Sequence, residues 1–168
     1  MKGSYRVKVS RKRGTSFRFE LKRNITVVRG DSGTGKTTLY DMIADHMRLG
    51  DRSGVTVQCD RPCFALTDTD WQNQLSQLSD SIVFIDEGFE DILSHDFART
   101  LRGSSNYYVI FCRAELASLP FSVNEIYRIK TSGKYHSFEP LYKQKDGFRY
   151  SLSRANQKYD FDALLSED

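Results

Sequence analysis

Bulky apolar side chains recur at every second position at Phe17, Phe19 and Leu21, and Ser4 to Ser10 alternates in the same way. That period predicts two strands on one apolar face, joined by a hairpin turn at "RKRGT", residues 11 to 15. Ile25 to Arg29 is a β-branched strand. From Lys36 to Arg48 the period changes: Leu39, Ile43 and Met47 recur at helical spacing. "LGDRSG", 49 to 54, breaks the chain before a strand at Val55 to Gln58. Leu75 and Leu78 predict a helix over Asp70 to Leu78, with Asp68 or Thr69 as N-cap. "SIVFIDE", 81 to 87, is apolar on both faces, as expected of a central strand covered on both sides. A helix over Asp91 to Arg102, a strand at "YYVIFCR", 107 to 113, and two strands within 124 to 142 turning at Ser132-Gly133 complete the pattern. Residues 143 to 168 have weak periodicity and form a tail with no assignment.

This βαβαβαβ order predicts a single α/β domain: a mainly parallel sheet flanked by helices, with an antiparallel N-terminal hairpin (1 to 24) and antiparallel C-terminal strands. A chain of 168 residues buries enough surface for one core without disulfides or structural metals.

Between the Ile25 strand and the following helix lies Gly30-Asp31-Ser32-Gly33-Thr34-Gly35-Lys36-Thr37, a complete G-x-x-x-x-G-K-[ST] pattern in the strand-to-helix setting where it carries meaning. Glycines allow positive φ, so backbone N–H groups from Gly33 through Thr38 can converge on phosphate oxygens. The helix N-terminus adds partial positive charge and unpaired donors. Lys36 is expected to reach the β- and γ-phosphates, Thr37 to place its hydroxyl on Mg²⁺, and Thr38 to support the α-phosphate. Asp86, at the tip of Ile82-Val83-Phe84-Ile85, supplies the second metal ligand, and Glu87 the water-positioning group. Arg113, at the end of the next strand, is the candidate for reading the terminal phosphate. Asn106, at the opposite end of that strand, is not.

These residues resemble the P-loop NTPase superfamily, with Walker A at Gly30 to Thr37 and Walker B at Ile82 to Glu87. The element order from about residue 4 to 140 is similar to a compact, divergent ABC-type ATPase core of the recombination-repair kind, and AAA+ proteins are the next resemblance. The resemblance implies a three-layer P-loop NTPase fold and a Mg²⁺-dependent ATPase, with ATP as substrate or ligand and activity coupled to a protein partner or to self-association. The chain departs from the pattern in three ways: "LSQLSDS", 75 to 81, lacks signature glycines, Arg113 stands where histidine is usual, and little chain is left for a helical subdomain. Two alternatives stay open: a kinase of a nucleotide or small molecule, and a non-hydrolytic switch or nucleic-acid-binding module. No N-K-x-D motif points to guanine.

Charge changes the picture at the N-terminus. Residues 1 to 30 hold ten lysines and arginines against one acid, Glu20, so a +9 arm sits in a chain of net charge +3. Such an arm fits nucleic acid or phosphates, or protects an exposed strand edge. Cys59, Cys63 and Cys112 cannot all pair and lack the partners for a zinc site, so reduced, mostly buried thiols are expected. Apolar runs are too short to span a bilayer, and the expectation is a soluble cytoplasmic protein without membrane contact.

Overall fold

The computed structural model describes residues 3–31, 33–113, 121–145 and 148–151. β1 (Tyr5–Arg11) and β2 (Ser16–Leu21) form the N-terminal hairpin. β3 (Ile25–Arg29) leads into α1 (Lys36–Leu49), then come β4 (Val55–Gln58) and β5 (Cys63–Ala65). α2 (Trp71–Ser76), β6 (Ile82–Ile85), α3 (His95–Arg102) and β7 (Tyr107–Cys112) follow. β8 (Ile126–Ser132) and β9 (Tyr135–Pro140) form the second hairpin, and β10 (Tyr142–Lys145) pairs with β11 (Phe148–Ser151) in a separate ladder.

The expected three-layer fold, an open and mainly parallel sheet with helices on both sides, is not what the chain builds. Nine strands join one mixed sheet in the order β4-β1-β2-β9-β8-β3-β7-β6-β5, curled into a nearly closed, barrel-like wall. The N-terminal hairpin is not an appendage. β2 pairs in parallel with β9, and β1 pairs on its other side with β4, so both hairpins become wall.

Closure follows from the chain path. β4 and β5 occupy opposite edges, yet only residues 59 to 62 separate them, so the edges must approach one another. Aromatic contacts record the same curl. Phe19 on β2 and Phe84 on β6 lie five strands apart, about 24 Å in a flat sheet at the usual spacing, but their ring centroids are 6.3 Å apart. Tyr5 on β1 and Tyr107 on β7, also five strands apart, meet edge-on at 5.2 Å.

α1 closes the trough. Its Leu39, Met42 and Ile43 are buried with Val9, Phe17, Phe19, Val55, Phe84 and Phe111 in one core. The opposite face of β3, β7 and β6 carries a second core, in which Trp71 of α2 meets Phe89 and Phe97, and its indole N–H donates to Asp91 at 2.6 Å. With only three α-helices among the described residues, of 14, 6 and 8 residues, helical cover cannot extend over the whole wall.

Local differences have local causes. The expected helix 91–102 is split because Ser94 caps α3, its hydroxyl accepting from the Phe97 N–H at 3.1 Å, while Glu90–Leu93 forms a 3-10 turn. α2 starts after Asp70, whose left-handed φ of 56° sets the boundary in place of a side-chain cap at Asp68 or Thr69. Asn106 is structural: its side chain accepts from the Ser81 N–H at 2.9 Å and donates to the Leu78 carbonyl at 3.2 Å. Cys112 is buried, but Cys59 and Cys63 are only partly so. They lie at the seam between β4 and β5, where a hydrogen bond from Cys63 lowers the Cys59 thiol to about 7. No helix among the described residues is long and apolar enough to cross a membrane.

Candidate functional site

The loop between β3 and α1 is built around one ammonium group. Lys36 is 3% exposed, and its Nζ donates to the Gly30 carbonyl at 2.6 Å, the Asp31 carbonyl at 2.8 Å and Thr34 Oγ1 at 3.3 Å. Burying a cation is costly unless charge and hydrogen bonds compensate it. Here two neutral carbonyls do most of that work, with the Glu87 carboxylate at 3.8 Å.

Gly33 and Gly35 hold φ of 82° and 104°, in the left-handed region that the tight turn requires. A Cβ at Gly35 would stand in contact with Phe17, 3.4 Å from its Cζ, so the positive φ is what restricts this position. Gly35 opens α1 without a side-chain cap and no acid stands in the first turn, so the helix's leading N–H groups keep their positive end unmatched by side chains. Asp31, Gly33, Thr34, Gly35, Thr37 and Thr38 surround this point, and Ser32 lies outside the described residues.

Asp86 and Glu87 follow β6 into the same region. Asp86 Oδ1 is buried with no hydrogen-bond partner among the described residues. Its charge acts on α1: burial raises the Tyr40 hydroxyl to about 12, with Asp86 the next cause, and the Asp41 carboxyl is raised by burial and then by Asp86. Tyr40 and Asp41 sit three and four residues beyond Thr37, on the same helix side. Asp86 therefore lies close enough to α1 for its charge to be felt at Tyr40 and Asp41, one turn beyond Thr37. Among the described residues no three acidic, histidine or cysteine side chains converge as a metal-binding group. The oxygen donors of Thr37 and Asp86, one with an unused buried lone pair, nevertheless suit Mg²⁺, which takes few protein ligands and completes its shell with phosphate and water.

Arg113, just past β7, reaches Glu87 with Nε 3.5 Å from Oε2. Glu87 thus stands between two cations, Lys36 and Arg113. The pairing β6–β7 is parallel, so both strands deliver their last residues to one edge of the wall.

The cleft over the loop, about 350 Å³, takes walls from elements that sequence reasoning did not connect to it. Thr15 and Phe17 come from the first hairpin, and Thr131 and His136 from the second. His136 stacks on Phe17 with centroids 4.5 Å apart, and its Nδ1 is 2.8 Å from Thr131 Oγ1. Burial lowers the imidazole below its ordinary range. No local signal marks these residues, because only the β2–β9 pairing brings them together. Cys112, below the loop, is pushed up to about 11 by burial, the nearby cations Arg29 and Lys36 opposing the shift.

Comparison of the chain with protein-family models, with curated proteins and with solved structures finds no match.

Proposed function

We propose that the protein binds ATP with Mg²⁺ and hydrolyses it to ADP and phosphate, with turnover coupled to a protein partner or to self-association. The observation that carries this reading is the buried Lys36 ammonium, set inside a glycine-turned loop at the uncapped N-terminus of a 14-residue helix. Positive potential collected at one point, balanced among the described residues by two carbonyls, the Thr34 hydroxyl and one carboxylate, is chemistry suited to a polyphosphate.

In this reading the loop amides and Lys36 grip the phosphates, while the Thr37 hydroxyl and Asp86 hold the metal. A Mg²⁺ ion held by these two residues would supply positive charge to offset that of the phosphates. Arrival of the terminal phosphate competes with Glu87 for Lys36 and releases the carboxylate from one of its two cations. Glu87 then orients a water, whose oxygen bonds to the γ-phosphorus as the bond to the bridging oxygen breaks, and takes its proton. Arg113, already beside Glu87, steadies the carboxylate and meets the transferred group.

Glu87→Gln separates holding from turnover. The variant is expected to bind Mg-ATP as the parent does and to release phosphate about 10² to 10⁴ times more slowly. A phosphate-release assay showing equal rates would remove Glu87 from this role.

A further inference from the structure

The outer face of β1, β2, β9 and β8 lies opposite the trough that holds α1, and Arg6, Arg18, Lys130 and Tyr135 are exposed on it. Pairing sets the side chains in rows. Lys8 faces Arg18, Arg18 faces Ser137 and Ser137 faces Lys130, which places three cations in one line across four strands. Alongside runs Ser10, Ser16, Tyr135 and Ser132. Two clefts share Lys8 and Arg18 as lining and so adjoin, and together they are the groove. One adds Arg6 and Gln58, the other Lys130, Tyr135 and Ser137.

Like charges directly opposite on a sheet destabilise it, and Lys8 sits directly across from Arg18. Acids border the groove without forming an ion pair to Lys8 or Arg18 among the described residues. Glu20 lies across from Arg6 and Asp60 at the β4 end of the groove, and Glu139 is engaged by Arg128. None of Arg6, Lys8, Arg18 and Lys130 forms an ion pair among the described residues. Tyr135 is 60% exposed, and the Lys134 ammonium stands 5.4 Å from its ring centroid.

We propose that this groove binds single-stranded nucleic acid, its phosphates lying along Lys8, Arg18 and Lys130 and a base stacking on Tyr135. A line of cations matches a phosphodiester chain, and the serine hydroxyls beside it are ready donors to phosphate oxygens. The exposed ring selects a strand whose bases are free, because duplex bases present no π-face. An anionic membrane is a poorer fit, since Tyr135 is the one large apolar side chain exposed on this face among the described residues. The proposal does not rest on the ATP reading, because none of its residues belongs to the loop.

Fluorescence anisotropy with the full chain and labelled oligo-dT or oligo-rU, titrated between about 50 and 200 mM salt, tests it. With three phosphate contacts at about 0.7 each, log K should fall against log salt with a slope of about −2. Lys8→Gln and Lys130→Gln should each weaken binding and flatten the slope by about 0.7, whereas Tyr135→Ala should cost at least about fivefold in affinity and leave the slope unchanged. Arg52→Gln, an exposed cation away from the groove, should change neither. Absent binding, or binding indifferent to the groove variants while circular dichroism shows them folded, overturns the proposal. So does equal affinity for polyglutamate or phosphatidylserine vesicles, or tighter binding of duplex.

Discussion

Lys36→Met should weaken Mg-ATP binding by about thirty- to two-hundredfold, corresponding to about 2–3 kcal/mol for charge-assisted hydrogen bonds made by a buried ammonium. Lys36 is buried at the centre of the loop, so its charge is poorly screened, and methionine keeps the stem while removing the ammonium. The Gly30 and Asp31 carbonyls lose a donor, but Gly30 is partly exposed and Asp31 exposed, so water can replace it. Folding should therefore change little, and binding should carry the effect. Equilibrium titration with a fluorescent ATP analogue, checked by thermal melting, separates the two.

Phe84→Ala should destabilise the fold by about 3–5 kcal/mol, as for other fully buried aromatic truncations. Phe84 is 0% exposed and touches both Phe19, from the far side of the curl, and Phe111 on its neighbour β7. That is a large share of a typical domain's stability of about 5–15 kcal/mol. Urea unfolding measures it, and a double-mutant cycle with Phe19→Ala tests the curl itself. Coupling of about 0.5–1.5 kcal/mol is expected of rings in contact. Additivity within error would mean that β2 and β6 do not face each other.

The loop was legible because its chemistry is contiguous: eight successive residues fix the turn, the cation and the helix start. The arrival of Asp86, Glu87 and Arg113 at one edge was legible for a related reason. Each follows an apolar strand, and parallel strands deliver their ends to one edge. The fold was not legible, because its decisive pairings are remote. β2 meets β9 across more than a hundred residues, and the approach of β4 to β5 closes a wall that a strand-by-strand reading leaves open. β5 escaped notice because it is three residues long and carries no alternating pattern. Thr131 and His136 were missed on similar grounds. His136 lies in a strand whose apolar neighbours suggest packing, and only the curl sets it over the loop.

The basic N-terminal arm shows how register reinterprets composition. As a count it was compatible with the protection of an exposed strand edge. In the structure β1 has a partner on each side and is not an edge, so its outward cations need another explanation.

Isothermal titration of the purified chain with ATP in the presence of Mg²⁺ bears most directly on the central claim that the residue 30–36 loop is a polyphosphate cradle. The account predicts a saturable heat with one site per chain, diminished in Lys36→Met. No heat, or equal heat in the two proteins, would contradict it.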